Sequence, residues 1–440
     1  MEPTEYARRR ETLMQHIGED GIAVLAAAPE RPRNRDVQHP YRQDSDFLYV
    51  TGFGEPDAVA VLVPGRASGE YILFSRERDP ARETWAGRTI GQAGAVEDYG
   101  ADDAFPIADI DDILPGLMEG RDKVYCAMGA DADFDQRLIG WVNALRGRAR
   151  AGVKAPLEYV SLEHVLHEMR LVKSRAEIAR LRESARITAA AHQRLLGLVR
   201  PGLMEYEIEA ELLYDFRRHN GVPAYPIIAG GGANACVLHY IDNQATLRDG
   251  DLLLVDAGIE LDGYAADITR TLPVNGRFSA EQRAIYELVL EAQHAALAEV
   301  RPGRHWNAGH EAATRVLVEG MVELGLLDGE VDALIESGDY RRFFMHRTGH
   351  WLGMDVHDVG DYKVDGHWRE LEPGMALTVE PGLYIPPGSP VDARWHGIGV
   401  RIEDNCLVTR DGHENLTAAA PKSIDAIEAA MAEGGGSHGA

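Results

Sequence analysis

The sequence predicts a two-domain α/β (α+β) protein, and three observations predict it. Its 440 residues exceed what one ordinary hydrophobic core organises. Short apolar runs bounded by turn residues fill roughly the first 165 positions in alternation with helical stretches. Ser174 and Glu177 then open a different regime, of long helices followed by a β-rich second half. The expected domains are 1–170, an α/β domain with a mixed sheet, and 171–440, with a disordered tail from about residue 433.

In the first domain, the runs 21–25 (GIAVL), 58–63 (AVAVLV) and 71–74 (YILF) read as buried strands. The stretch 29–45, dense in Arg, Asp and Pro, reads as loop. In the second domain the S-x-x-E pair is a capping box, with the apolar pattern running through Ile178, Leu181 and Ala185. That helix must stop by Arg200-Pro201-Gly202, and a second helix spans about 204–219.

Composition narrows the function classes. Hydrophobic residues make up 45% and charged residues 26%, an ordinary soluble composition. No apolar stretch reaches the 18 residues a membrane span requires. The first residues lack a basic region followed by an apolar one, so a cytoplasmic location is the default expectation. A net charge of −26 argues against nucleic acid and anionic lipid as partners. Cys126, Cys236 and Cys406 form no C-x-x-C pair and read as free thiols.

The chemistry begins in 252–271 (LLLVDAGIELDGYAADITRT). Two β-rich runs flank Asp262-Gly263, a hairpin signature. A Leu261-Asp262 loop sets Asp256 directly opposite Asp267, whereas an Asp262-Gly263 loop makes them diagonal neighbours on one face. Either register brings together two carboxylates that repel, so a cation is the simplest compensation. The segment alone also fits one turn-capping and one solvated Asp.

Further along, His346, His350 and His357 fall within twelve residues beside glycines. Glu380 ends an apolar run immediately before Pro381-Gly382, and in 398–404 (IGVRIED) Arg401 and Glu403 share a strand face.

The ordered set Asp256, Asp267, His350, Glu380 and Glu403 resembles the five-ligand site of the pita-bread metallopeptidases, which include methionine aminopeptidase, prolidase and aminopeptidase P. The segments 41–53 (YRQDSDFLYVTGF), 55–59 (EPDAV) and 85–88 (WAGR) are similar to the N-terminal domain of aminopeptidase P. The resemblance thus covers nearly the whole chain and is closest to the bacterial type. One departure stands out: Arg347 follows His346 where the family often has Gly, so specificity is open to change there.

The resemblance implies a C-terminal pita-bread domain with two divalent ions, Mn2+ favoured and Zn2+, Co2+ or Fe2+ compatible, about 3.5 Å apart. Asp267 and Glu403 would bridge them, Asp256 completing one ion and His350 and Glu380 the other. A hydroxide held between the ions would attack the peptide bond, with Glu380 relaying the proton. His239 would stabilise the oxyanion, His357 would meet the leaving nitrogen or substrate carbonyl, and His346 would line a proline pocket. Tyr225 and Arg401, with Thr269, would orient Asp256. Asp36, Trp85 and Arg150 would contact substrate, Trp85 from a neighbouring subunit of a dimer or tetramer. The implied activity is removal of the first residue from peptides with proline second. The alternatives are a dipeptide-restricted prolidase, a metal-free hydrolase of the creatinase type and a non-catalytic binding protein.

Overall fold

A computed structural model describes residues 1–435, and the chain separates into two compact units, Met1–Met169 and Arg170–Ala440. In the first unit the three apolar runs become the strands Gly21–Ala26, Val59–Leu62 and Tyr71–Ser75. They pair antiparallel, and Asp103–Pro106, Lys123–Cys126 and Glu158–Ser161 add parallel partners, giving one mixed six-stranded sheet. Ile22, Val24, Val61 and Ile72 pack against Leu114 and Met118 of helix Ile110–Met118 and Leu138 and Trp141 of helix Ala132–Gly147. The stretch 29–45 is not all loop. It carries a small exposed hairpin, Pro32–Asn34 with Val37–Gln38, turned at Arg35 with φ 45°.

The second unit opens with helix Arg175–Leu196, whose capping box is complete: Ser174 Oγ accepts from the Glu177 amide and Glu177 Oε2 from the Ser174 amide. The helix ends at Leu196, earlier than Pro201 requires, because Gly197 weakens the next turn and residues 197–199 close it with tighter bonds. Helix Glu205–Arg218 follows. Its buried Glu205 accepts from Gly231 N, Asn234 Nδ2, Tyr240 OH and Ala245 N at 2.7–2.9 Å, which pins the segment carrying His239.

Strand Leu252–Ala257 lies between Ile228–Gly231 and Ile268–Pro273, all antiparallel, with Asp256 opposite Thr269. Leu261 pairs with Tyr264 across Asp262-Gly263, whose φ values of 51° and 80° are those of a type I′ turn. Of the two possible registers the chain therefore adopts the second, and Asp256 and Asp267 are diagonal neighbours. The hairpin bends at Gly258, where a Cβ would lie 1.6 Å from Ala266 O. Beyond the bend, Ile259–Leu261 leaves its first sheet and pairs with Val222–Pro223.

Strand Ala376–Val379 pairs with Asp404–Val408, and Gly382–Ile385 with Ile398–Arg401. The run 398–404 is thus two strands rather than one, broken where Ile402 turns into the core and Glu403 N donates to Thr269 O. Behind Glu403, buried Asp404 accepts from Arg270 Nη2 (2.7 Å) and Lys422 Nζ (2.6 Å). Burial alone would raise its pKa, but those two cations hold it well below the carboxylate range. Helix Ile424–Gly435 runs through Glu433, where the sequence suggested a disordered tail; residues 436–440 lie outside the described residues.

Gly258 thus sets the geometry of the hairpin that carries both aspartates. Gly258→Ala is expected to destabilise the protein by about 3 kcal/mol or more, because its methyl cannot fit without parting the strands. Gly116→Ala, whose Cβ meets nothing within 4 Å, is the control. Equal denaturation midpoints for Gly258→Ala and wild type would refute this account.

Candidate active site

Four segments deliver acid and imidazole groups to one place. Asp256 ends a buried strand and Asp267 follows the bend of the hairpin. His350 is set by a short zipper: Thr378 N donates to His350 O and Glu380 N to Thr348 O, both at 2.9 Å. Gly349 makes the zipper possible, since a Cβ there would lie 2.1 Å from Thr378 O. Thr378 Oγ1 accepts from His350 N (3.0 Å) and donates to Glu380 Oε1 (3.2 Å), so one hydroxyl spaces the imidazole from the carboxylate. Glu403 arrives from the break between two strands.

Ligand atoms of Asp267, His350 and Glu403 all lie within 4.8 Å of one another. His350 Nδ1 donates to Trp351 O at 2.9 Å, which turns Nε2 toward Asp267 Oδ2 (3.4 Å) and Glu380 Oε1 (3.5 Å). Asp256 Oδ2 accepts from Arg401 Nη2 at 2.5 Å and Oδ1 from the Tyr225 hydroxyl at 2.6 Å. That same hydroxyl touches Asp267 Oδ1, and one O–H cannot donate to both. Glu403 Oε2 accepts from Thr269 Oγ1 at 2.6 Å, while its Oε1 is buried without any partner.

Oxygens crowded in this way need positive charge, and without it the protons redistribute. Burial pushes Asp256 up to about 6 and Glu380 to about 7. Burial and the neighbouring Asp267 and Glu380 push Glu403 well above the carboxylate range. Burial opposes charging His350, yet its hydrogen bond to Asp267 and the charge of Glu380 raise it to about 9. Burial would raise Asp267 as well, but the His350 bond and charge outweigh that and leave it lowered. The orphaned Glu403 oxygen and the inward-facing His350 Nε2 fit hard divalent cations held by oxygen and one imidazole.

The cluster floors a cavity of ≈490 Å³ that Tyr225, His239, His346, His357 and Arg401 also line. Apolar Ile228, Leu238, Ile241 and Val356 face the same space. His346 Nδ1 donates to Arg347 O (2.7 Å), so Nε2 must accept from the Tyr384 hydroxyl (2.8 Å), whose oxygen accepts from Arg401 Nη1 (3.0 Å). Burial holds His346 neutral, down at about 3. His357 packs edge-on to His350, ring centroids 4.4 Å apart.

Of the expected residues, ten converge on this cavity or its walls. Thr269 differs in detail: although it pairs with Asp256 across the strands, its hydroxyl holds Glu403 and accepts from Arg401 Nε at 3.0 Å. Asp36, Trp85 and Arg150 belong to the N-terminal unit. Asp36 sits in the exposed hairpin turn, Trp85 is 91% exposed at the end of helix Pro80–Ala86, and Arg150 lies in an exposed helical turn. Sequence reasoning passed over Tyr384, Thr378 and Asn405, which clamps both backbone polar groups of Asp267. For Tyr384 a signal existed, since a tyrosine in an apolar strand beside Glu380 must find a partner for its hydroxyl.

The metallopeptidase family M24 model matches residues 179–410, and the aminopeptidase P N-terminal domain model matches 6–125. This chain belongs to metallopeptidase family M24. It is 47% identical to Xaa-Pro aminopeptidase of Escherichia coli over 97% of both chains. Its structure superposes on Pseudomonas aeruginosa aminopeptidase PepP with a TM-score of 0.98, 59% identity and 99% of each chain covered. On zinc-substituted E. coli aminopeptidase P in complex with product the values are 0.96, 46% and 99% of each chain. The fold is therefore that of the aminopeptidase P structures, an N-terminal domain followed by a pita-bread M24 domain.

Metal uptake by such a cluster displaces protons. Asp256, Glu380 and His350 hold protons below about 6, about 7 and about 9, and each would have to lose one if it were to ligate a cation. Affinity for Mn2+ should therefore rise with pH across that window and flatten above it. Calorimetry in buffers of different ionisation enthalpy should register proton release at pH 7; affinity independent of pH would rule this out.

Proposed function

We propose that this M24 chain is an Xaa-Pro aminopeptidase acting at a site for two divalent cations. The convergence of four carboxylates and one imidazole on a cavity floor carries this reading, and relatives named Xaa-Pro aminopeptidase support it. Asp256, Asp267, His350, Glu380 and Glu403 would hold the cations. The oxygen-rich set suits Mn2+, with Zn2+, Co2+ and Fe2+ as alternatives. When bound, the cations polarise the scissile carbonyl and acidify water.

The remaining work falls to the chain. Glu380 takes a proton from water and passes it to the leaving nitrogen. His239 donates to the carbonyl oxygen as negative charge develops there. His357, exposed and without a hydrogen-bond partner among the described residues, meets the leaving nitrogen or the substrate carbonyl. His346 presents a neutral ring, both nitrogens already committed, and so suits a ring that offers no N–H. Arg401 and Tyr225 fix Asp256, and Thr269 fixes Glu403, which keeps their remaining lone pairs aimed inward. By family resemblance, Asp36, Trp85 and Arg150 contact peptide, Trp85 in a dimer or tetramer.

No helix among the described residues is long and apolar enough to cross a membrane. Its net charge of −26 disfavours nucleic acid and anionic lipid as partners.

Chelator-stripped protein should regain release of the first residue from an Xaa-Pro-Xaa tripeptide on adding Mn2+, and leave an Xaa-Ala peptide intact. Activity confined to Xaa-Pro dipeptides would instead identify a prolidase. Silence towards both would overturn the reading. His239→Ala is expected to lower kcat by about 10²–10³-fold, as for loss of an oxyanion donor, with metal content unchanged.

A further inference from the structure

Arg347 stands where this chain departs from the common family pattern, and its surroundings give it a use. It lines the catalytic cavity and also a neighbouring one of ≈530 Å³, walled by Trp306, Tyr362 and Trp368. The two cavities share Arg347, Gly349, His350 and His357. Its guanidinium lies over the Trp368 ring at 5.0 Å, and Lys363 Nζ lies 4.3 Å from the same ring. One nitrogen, Nη2, donates to Asn307 Oδ1 at 2.5 Å. Asn307 in turn donates to Glu311, so the acid reaches Arg347 only through a neutral amide. Nε and Nη1 have no partner among the described residues, and no carboxylate there pairs with this cation. Exposed arginines elsewhere, such as Arg182 and Arg186, lie against acids at 2.6 and 2.7 Å.

An unneutralised guanidinium, oriented by an amide and a tryptophan face, is a receptor for a carboxylate. We propose that Arg347 forms a subsite for the C-terminal carboxylate of tripeptides, with Trp368 as its backing wall. This rests on the aminopeptidase reading above. An enzyme that removes the first residue must send the rest of the peptide outward. One extended residue beyond the proline advances the chain by about 3.5 Å. That step carries the terminus of a tripeptide from His350 and His357 toward the second cavity they also line. Longer peptides place an uncharged peptide group there instead. The subsite therefore selects by length, favouring short free peptides over the ends of proteins.

The test compares Ala-Pro-Ala with its C-terminal amide. The Mn2+-loaded wild type should favour the acid by about tenfold in kcat/KM, the strength of one partly exposed charge-assisted contact, with the difference in KM. Arg347→Gln keeps a donor for Asn307 but no charge, and its acid-to-amide ratio should fall to about one. Calorimetric titration of both peptides into the same two proteins after chelation reads the subsite without turnover and should show the same loss of preference. If the wild type does not distinguish acid from amide, or Arg347→Gln keeps the distinction, the subsite is refuted while the activity stands. If neither peptide is cleaved but the wild type binds the acid preferentially and Arg347→Gln does not, the subsite survives and the aminopeptidase reading falls.

Discussion

Like charges buried together are the constraint on which the catalytic unit turns. Asp256, Asp267, Glu380 and Glu403 meet at the floor of the cavity, largely withdrawn from solvent; Glu403 is only 1% exposed. Two carboxylates a few ångströms apart in low dielectric repel by several kcal/mol, so the sequence can keep all four only if something positive joins them. Arg401 supplies part of it, spending its three guanidinium nitrogens on Asp256, Thr269 and Tyr384. One arginine cannot balance four acids. Burial first, and then the repulsion among the acids, raise Asp256, Glu380 and Glu403, and a bound cation would relieve both.

Holding such groups in place requires a frame stiffer than their repulsion, and the frame is made of close backbone approaches. Gly258 lets the hairpin bend between its two aspartates, and Gly349 lets the histidine segment zip onto the strand before Glu380. Asn405 grips the backbone of Asp267, and Asp404, neutralised by Arg270 and Lys422, anchors the strand that follows Glu403. The neutralisation of Asp404 next to the unneutralised Glu403 is instructive. Two acids adjacent in sequence, one in the break between strands and one opening the next strand, have opposite fates because one faces the cavity and the other faces cations of the chain.

Local pattern made much of this legible. The capping box at Ser174 was complete as read, because its partners are three residues apart. The hairpin was readable too, but not its register, since both loops place two carboxylates within reach of each other; the left-handed preference of Asp262-Gly263 and the bend at Gly258 decide it. The strand expected over 398–404 was misread as continuous because alternation in sequence does not reveal a core contact that pulls Ile402 out of line. Tyr384, Thr378 and Asn405 escaped notice for one shared reason. Each acts through a partner brought near by the fold; an apolar strand can show that the Tyr384 hydroxyl needs a partner, but not which one.

Arg347 shows how a fixed reaction centre leaves room for variation beside it. The five inward-facing groups tolerate little change, since each carboxylate is set against the others and against Arg401. The residue after His346 lends that machinery its carbonyl, as acceptor for the imidazole. Its side chain points to a separate wall of tryptophan and amide, where charge can be gained without disturbing the balance at the floor. A backbone that serves catalysis while its side chain is free to vary is where the requirements for stability, chemistry and selectivity separate. A change of side chain at that position therefore leaves the carboxylates and imidazole of the cavity floor untouched.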